Sequence, residues 1–485
     1  MPYIGWTKPG GRASDRAVAL TASDAADRAR RLYEVGQAEL LMLDDVRRYW
    51  TGKQRLPAVI PSTAPVEVRL MAQMARVNVV SIVVESLAQS LAIEGFRAAK
   101  QDDNHAVWQV WQGNRLDARQ SMIHRPAIAY GVSYAVVTPG QPVPLIRGLS
   151  PRRLTAMYED DEDWPTFALE RRVKGPWRLY DATTVYEVTS DGSGKFELVR
   201  QADHGAGVTP VVRYLDVHDP DWDDEPTDES WATARDGMRR RLATGQVAPL
   251  MSLQDQIDLI TFNLLVAQHY TAFRQRWIIG WVAPDETTKA KANASLLWTF
   301  DEAPDNMKIG EFSETALDGY IKSRDASFRQ AAALSQTPVH ELVGDLVNLS
   351  ADALAAAEAG RDRKVGDRQT TLGESHEQTL ALAGKLAGID VPPDAQVVWR
   401  DTSARAYAAT IDALGKLATM LGVPAQELWE RIPGVTQQDV ERWRATAATG
   451  DALTNLAALL ERQGGAAAGG APATGTQPPA TGAAA

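Results

Sequence analysis

The sequence contains no cysteine among its 485 residues. The chain therefore forms no disulfide and offers no thiolate to a metal ion. A chain without disulfides fits a reducing compartment such as a cytoplasm. Residues 1–8 contain no apolar signal core, so we do not expect secretion.

Long apolar runs and an excess of positive charge are also missing. No run approaches the roughly 18 residues of a membrane span, so we expect no membrane association. The net charge is −11, from 51 Lys and Arg against 62 Asp and Glu. Tight binding of nucleic acid over much of the surface is not expected, because it requires neutralising cations. A surface past which DNA slides remains compatible, since repulsion keeps the polyanion mobile.

Nucleotide and metal motifs are absent as well. None of the Gly-Lys pairs, for example the one before Gln54, is followed by the Ser or Thr of a phosphate-binding loop. The seven histidines are scattered, and His340-Glu341 has no partner His at metal-binding spacing. We therefore expect no cofactor, no metal ion and no catalytic site.

Two acidic segments resemble functional sites and have simpler explanations. Residues 219–223 repeat the first half of a calcium loop, but Asp224 stands where Gly is required and Ser230 where Glu is required. Residues 160–163 are four adjacent acids, which favours an exposed turn. One alternative stays open: a soluble carboxylate-based hydrolase that uses Asp160, Asp163 and Asp223.

Apolar periodicity predicts an α+β fold that is mostly helical, with short strands. Ser23 is the expected N-cap of a first helix that ends near Gly52. A hairpin turn is expected at residues 190–194 and an acidic loop at residues 216–246. The predicted helices cover residues 23–50, 66–91, 105–111, 113–130, 350–386, 403–422, 425–432 and 437–462, and the predicted strands cover residues 93–96, 130–139, 167–173, 178–180, 184–189, 195–200 and 396–399.

The stretch from residue 247 to residue 349 organises the chain. Its first helix, residues 247–273, alternates apolar residues at intervals of three and four, which is typical of a seam between packed helices. Gln254, Asp255, Asp258 and Gln268 occupy positions off this seam. The seam consists of Leu250, Leu253, Ile257, Ile260, Leu264 and Ala267.

The sequence changes character after this helix. Residues 274–284 are β-like, a charged helix is expected near residues 285–298, and residues 306–312 are again extended. A second helix returns over residues 314–336, so a helix pair carries a small mixed module at its tip. Trp277, Trp281 and Trp298 either fill the core of that module or pack on a neighbouring subunit.

The remaining segments are a connecting loop, a long helix and a tail. Residues 337–349 form a loop with few positive charges. Gly360, Gly366 and Gly373 favour a bend in the long helix that follows, because each costs about 1 kcal/mol relative to Ala. Residues 464–485 contain too little apolar material to fold.

Several short segments, in their order along the chain, resemble the portal proteins of tailed double-stranded DNA bacteriophages, of the long-tailed type that infects actinobacteria. Residues 49–57 resemble the early tyrosine-glycine element of that family, and residues 78–88 with Gly95-Phe96 resemble its next helix and strand. Residues 129–137 resemble its core strand, residues 249–258 its stem helix and residues 348–354 the start of its long helix.

The resemblance implies a ring, usually of twelve subunits, at one capsid vertex. It implies a flexible leader at residues 1–19 and a wing built from residues 20–246 and 350–402. Residues 247–273 and 314–336 would be the stem, 274–313 a small α/β clip, 337–349 a tunnel loop, 403–463 an all-helical crown and 464–485 a disordered tail. Val343, Asp345, Val347 and Asn348 of the tunnel loop would face DNA.

The implied partners are copies of the same chain, the terminase large subunit, a head-tail adaptor, the major capsid protein, a scaffolding protein and the double-stranded DNA in the channel. Trp277, Trp281 and Trp298 would contact the terminase or the adaptor. The implied location is the portal vertex of the virion, after assembly in the host cytoplasm. Another oligomeric head-completion component remains an alternative, although such adaptors are usually much shorter.

Overall fold

The structure is a computed structural model, and it shows a mixed α+β chain as expected. It describes residues 19–56, 60–97, 105–158, 163–191, 194–217, 244–272, 276–279, 308–311, 316–344, 351–400, 407–432, 435, 439–440 and 442–447. The chain divides into two compact units, Met1–Ser403 and Ala404–Ala485. Each unit is described by itself.

The first helix, α1 (Ala22–Trp50), has its N-cap two residues before the expected position. Thr21, not Ser23, is the N-cap: its hydroxyl accepts from the backbone N–H of Asp24 at 3.2 Å and donates to the Asp24 carboxylate at 2.6 Å. The prediction of Ser23 as the N-cap is wrong, because of these two residues only Thr21 has an acidic residue three positions later, as in a capping box. Gly52 follows the helix with φ +68°, as a helix-ending glycine does.

The predicted helix over residues 66–91 is wrong as a single element. It consists of α2 (Val66–Met74) and α3 (Val79–Gln89), and Asn78 caps α3 by accepting from the backbone N–H of Ser81. Val66–Gln89 is apolar and long enough to cross a membrane by composition, which corrects the expectation that no such stretch exists. However, Val83 and Val84 of α3 are buried in the main core, so the apolar character is that of a core helix.

Two antiparallel sheets follow three short helices. The helices are α4 (His105–Gly113), α5 (Leu116–Arg119) and α6 (Ser121–Tyr130). The strands in this part of the chain are β1 (Ile93–Arg97), β2 (Val132–Thr138), β3 (Leu145–Leu149), β4 (Leu154–Met157), β5 (Phe167–Glu170), β6 (Trp177–Tyr180), β7 (Thr184–Ser190), β8 (Phe196–Asp203) and β9 (Val211–Leu215). The first sheet has the order β3-β2-β9 and the second the order β4-β5-β6-β7-β8, and β1 belongs to neither.

The five-stranded sheet packs against α1. Ala25, Ala29 and Leu32 of α1 are buried with Leu179 and Phe196 of the sheet. The expected hairpin is present, because β7 pairs with β8 from Ser190 opposite Phe196. The acidic segment expected to be a loop lies mostly outside the described residues.

The helix pair and its tip come next in the chain. A short 3₁₀ turn, Ala248–Leu250, leads into α7 (Met251–Ala272), and the return helix is α8 (Asp318–Ser335). Between them, β10 (Arg276–Ile279) pairs with β11 (Lys308–Glu311). The helix expected near residues 285–298 lies outside the described residues. After α8 the chain forms α9 (Val339–Val343).

The long helix α10 (Ala351–Ala387) closes the first unit. It runs without interruption through Gly360, Gly366 and Gly373 and through a fourth glycine, Gly384. Leu372, Leu380 and Ala383 of α10 are buried in the main core. The strand that follows, β12 (Gln396–Trp399), pairs antiparallel with β1, which brings residues about 300 positions apart into one sheet.

A pair of histidines lies at the centre of that core. His124 of α6 and His376 of α10 are both fully buried, with their Nε2 atoms 2.8 Å apart. His124 donates from Nδ1 to the carbonyl of Leu91 at 3.2 Å, and the hydroxyl of Tyr214 lies 3.2 Å from Nδ1 of His376. This pattern fits two neutral rings, with His376 donating to His124.

The second unit is helical in its described part. It contains α11 (Tyr407–Met420), α12 (Ala425–Leu428), a 3₁₀ turn at Trp429–Arg431 and helical residues 442–447. The rings of Trp429 and Trp443 meet edge to face, with centroids 5.9 Å apart. Residues 451–485, including the expected tail, lie outside the described residues.

Candidate functional site: the helix pair and its base

The two helices of the pair pack against each other near the base. Leu253 and Ile257 of α7 are buried in one cluster with Ala331 of α8 and Val79 of α3. Gln256 of α7 also donates to the hydroxyl of a serine in α8, at 3.4 Å. Since the beginning of α7 meets the end of α8, the helices run antiparallel, and the β10–β11 ribbon lies between them in the chain.

The seam residues are placed at three different depths. Leu250 is buried in the main core of the first unit, so it belongs to the base of the helix pair. Leu264 is 9% exposed, and Ile260 is only half-buried. The periodicity of three and four therefore reflects burial along the first half of α7 more strongly than along the second.

A second buried face of α7 is polar, and the apolar periodicity of the helix does not predict it. Gln254 and Asp258, expected off the seam, are 1% and 0% exposed. The Asp258 carboxylate accepts from Gln54 at 2.8 Å, from the backbone N–H of Val77 at 3.0 Å and from Gln254 at 2.8 Å. Gln254 accepts from the backbone N–H of Val79 at 3.1 Å. A polar pair four residues apart was the only signal, and polar residues in a helix usually face solvent.

These contacts connect α7 to the non-helical segment between α2 and α3. The donors at Val77 and Val79 belong to the turn that ends α2 and to the first turn of α3, where backbone N–H groups lack helical partners. Burial raises the pKa of Asp258, although its three donors oppose that shift. Nearby, Tyr49 donates to Asp255 at 2.8 Å, and burial together with this carboxylate raises the pKa of Tyr49 to about 12.

The described part of the tip is a two-stranded ribbon. Trp277 in β10 lies opposite Gly310 in β11, and its indole sits so close to Gly310 that any side chain there would collide with the ring. Trp277 is half-buried and Ile279 is 58% exposed. Trp281 and Trp298 lie outside the described residues.

The segment expected to be a loop after α8 contains the short helix α9. Val343, expected in a loop, is the last residue of this helix and is half-buried. Pro338 precedes the helix and Gly344 ends it with φ +78°, and five residues are too few for a periodic signal. Asp345, Val347 and Asn348 lie outside the described residues.

The described part of the chain brings no metal-binding cluster together. No three His, Cys, Asp or Glu side chains within it are placed to hold a metal ion. Of the carboxylates weighed for a hydrolase, Asp163 is exposed, whereas Asp160 and Asp223 lie outside the described residues. The described geometry is that of a helix pair whose base is held by buried apolar and polar contacts, as expected of a structural element in a protein assembly.

Comparison with known families identifies the chain. A family model described as "Phage portal protein, SPP1 Gp6-like" matches residues 37–451, which include the helix pair, the ribbon and the long helix. The chain belongs to this phage portal protein family. The portal protein therefore has the role of a phage portal and is located at the portal vertex of the virion. Portal proteins are structural components, and the match does not support the hydrolase alternative.

Individual relatives carry the same description. "Portal protein" of Mycobacterium phage D29 is 27% identical over 423 residues, which cover 80% of this chain and 82% of the relative. "Portal protein" of Mycobacterium phage L5 is 27% identical over 393 residues, with coverages of 75% and 76%. The portal protein thus matches relatives from phages of an actinobacterial host, as the resemblance implied.

Solved structures with a similar chain come from gene transfer agent (GTA) particles. A chain of "Neck of native GTA particle computed with C12 symmetry" aligns with a TM-score of 0.43 at 14% identity, over 76% of this chain and 92% of that chain. A chain of "Neck of empty GTA particle computed with C6 symmetry" aligns with a TM-score of 0.44 at 13% identity, with the same coverages.

Proposed function

We propose that identical copies of this portal protein form a closed ring, usually of twelve subunits, in which the α7–α8 pairs stand side by side around a channel for double-stranded DNA. The observation that carries the proposal is the antiparallel pair itself, which is buried at its base and has four exposed large apolar side chains among the polar residues on its outside. Leu259, Tyr270, Ile321 and Leu334 of the pair are between 37% and 61% exposed. Exposed apolar side chains on neighbouring helices favour packing against another copy.

The ring would serve genome packaging, head-tail joining and DNA ejection. A net charge of −11 suits a channel that must let DNA slide, because acidic surfaces repel the phosphate backbone. The chain itself performs no catalytic step in this proposal. Hydrolysis of ATP during packaging belongs to a separate motor, the terminase.

The parts of the chain take the following roles in the ring. Residues 20–246 and 350–402 form the wing, residues 247–273 and 314–336 the stem, and residues 403–463 the crown. The tip, residues 274–313, is the clip that contacts the terminase large subunit during packaging and the head-tail adaptor afterwards. Trp277 of the clip lies on a ribbon whose Ile279 is exposed, which supports a contact there.

Two further contacts complete the proposal. The tunnel loop, residues 337–349, approaches DNA through Val343, Asp345, Val347 and Asn348. The wing and crown contact the major capsid protein and the scaffolding protein during assembly in the host cytoplasm. No membrane takes part.

Electron microscopy of the purified full-length chain, combined with light scattering, tests the ring. We expect particles with a central hole and a mass near that of twelve subunits. Ile257→Asp, which places a charge at a position that is 0% exposed between α7 and α8, should abolish rings. Asn263→Asp adds the same charge at an exposed position of α7 and should leave rings intact.

Three outcomes would contradict the proposal. A wild-type chain that stays monomeric at every concentration, and also fails to enter capsids in infected cells, excludes the ring. Normal rings from Ile257→Asp would show that the buried contacts of α7 do not support assembly. A small discrete oligomer in place of a ring would favour another head-completion component.

A further inference from the structure

A lysine from the long helix holds the end of the stem helix α8. Lys364 of α10 donates from Nζ to the backbone carbonyl of Ser335 at 2.8 Å and to the side-chain oxygen of Gln246. The last carbonyls of a helix lack intrahelical partners, and a cation there also meets the negative end of the helix dipole. Lys364 therefore joins the last residue of α8 to α10.

The contacts of Lys364 continue into a buried ion pair. Gln246 donates to Asp216, and Arg368 of α10 contacts both carboxylate oxygens of Asp216 at 3.1 and 3.3 Å. Asp216 is 0% exposed, and its backbone N–H donates to the carbonyl of Gly131 at 2.9 Å, next to β2. Through these contacts Lys364 is connected to the three-stranded sheet β3-β2-β9 of the first unit.

A second contact joins α9 to the same face of α10. Arg361, one turn before Lys364, donates from Nη1 to Glu341 of α9 and lies 3.5 Å from Glu358 of α10. The Nε2 atom of His340 lies 3.8 Å from the other oxygen of Glu358. Both polar residues of α9 therefore face charged partners on α10.

Apart from these two contacts, the segment is held mainly by Leu342, which is partly buried against the main core and the α7–α8 cluster, and by the buried residues Thr337 and Pro338 at its start. None of the five residues of α9 is fully buried. The segment is bounded by two left-handed residues, Gln336 with φ +54° and Gly344 with φ +78°, so neither α8 nor α9 continues through its ends. A short element with little burial opens at low free energy unless side-chain contacts restrain it.

We infer that Lys364 and Arg361 are positioning residues that hold residues 336–344 against α10, and that losing either contact releases this segment while the rest of the unit stays folded. The contacts themselves do not depend on the proposed function. Their meaning does: in the proposed ring, residues 337–344 are the beginning of the tunnel loop, so the two contacts set where that loop starts.

Hydrogen–deuterium exchange of the full-length chain tests the inference. In Lys364→Met, which keeps the length of the side chain and removes its donors, amides of residues 336–344 should exchange at least about tenfold faster, because hydrogen bonds from a charged donor are lost. Arg361→Leu should have a similar effect, centred on α9. Lys322→Met removes an exposed lysine of α8 and should leave the exchange unchanged.

The rate of amide exchange in residues 132–138, which form β2, distinguishes local release of the segment from general destabilisation of the unit. Unchanged protection of residues 336–344 in both variants overturns the inference, and so does an equal acceleration in β2. If Lys364→Met does not fold, Arg361→Leu decides by the same criteria. Electron microscopy of the same samples keeps the two ideas apart, because rings with unchanged exchange refute only the positioning role, and wild-type protein without rings refutes only the proposed function.

Discussion

At the scale of single residues, Asp258 links three separate parts of the chain. Its carboxylate accepts from the side chain of Gln54, the backbone of Val77 and the side chain of Gln254 in its own helix. The Oε1 atom of Gln54 is buried without a hydrogen-bond partner. A buried network of this kind is sensitive to the loss of one acceptor, because each donor left behind keeps its desolvation cost.

This arrangement predicts losses of stability of very different size for two substitutions at Asp258. Asp258→Leu should lower the free energy of unfolding by about 3 kcal/mol or more, since three buried donors lose their acceptor. Asp258→Asn should cost under about 1 kcal/mol, because Asn keeps one acceptor and its new donor can bond Oε1 of Gln54 after that amide rotates. Urea unfolding measures both. Equal losses would show that the network contributes little.

The buried histidine pair makes stability depend on pH. Burial lowers the pKa of His124 to about 4, and burial together with His124 lowers the pKa of His376 well below its usual value. The groups that face the pair are the hydroxyl of Tyr214, the carbonyl of Leu91 and the rings of Trp111 and Trp399. Among these described contacts no carboxylate compensates a positive charge on either ring.

Acidification should therefore destabilise the first unit. Unfolded histidine binds a proton near pH 6.5 and the folded pair does not, so stability is lost as the pH falls from about 6.5 towards 4. His124 alone should cost roughly 2 kcal/mol at pH 5 relative to pH 7. His376→Gln, which keeps a donor for His124, should lose less over that range in urea titrations. An equal pH slope in this variant would contradict the argument.

At the scale of elements, glycine has opposite effects on stability in α10 and in the segment before α7. Gly360 and Gly366 lie within the continuous helix α10, and a Cβ at either position meets no atom within 4 Å. A Cβ at Gly245 would lie 2.4 Å from the backbone N of Gly131 and 2.5 Å from the carbonyl O of Ala129. The first two glycines cost helix stability, whereas Gly245 is required by close backbone packing.

Replacing these glycines by alanine should separate the two roles. Gly360→Ala should raise the free energy of unfolding by about 0.5–1 kcal/mol, because Ala restricts the unfolded chain and fits the helix. Gly245→Ala should lower it, since the backbone atoms facing it cannot move away cheaply. Thermal unfolding of both variants provides the measurement. A loss of stability in Gly360→Ala would indicate that this face of α10 packs on another subunit.

At the scale of the whole molecule, the cores of the first unit are complete without the second. The four apolar clusters of the described residues that include α1 to α10 and their sheets contain no residue beyond Trp399. Residues from α10 are essential to the largest cluster, which includes Leu372 and Leu380. The boundary between the units at Ser403 therefore leaves the apolar cores undivided.

A chain that ends at Ser403 should fold by itself. We expect its melting temperature to lie within about 3 °C of the value for the first unit in the full-length chain, because truncation should lower the free energy of unfolding by less than about 1 kcal/mol. A chain that ends at Gly344 lacks α10 and should show no cooperative unfolding. Scanning calorimetry distinguishes the two, and a truncated chain at Ser403 that melts non-cooperatively would show that the units depend on each other.

The sequence by itself determined the elements whose information is local. The helix pair, the hairpin between β7 and β8 and the long helix follow from periodicity and turn residues, and these depend on neighbours within a few positions. The order of short family-like segments was sufficient for the portal assignment, which the family match confirmed. The lack of cysteine excluded disulfides by itself.

Only the tertiary structure decided which polar residues are buried and where short elements lie. Gln254 and Asp258 read as solvent-facing because their partners, Gln54 and the turn at Val77, are about 180 to 200 positions away in the chain. Likewise, nothing local to Lys364 indicates that it meets Ser335. Such contacts depend on how distant segments pack, and a polar side chain in a helix carries the same local pattern whether water or another segment satisfies it.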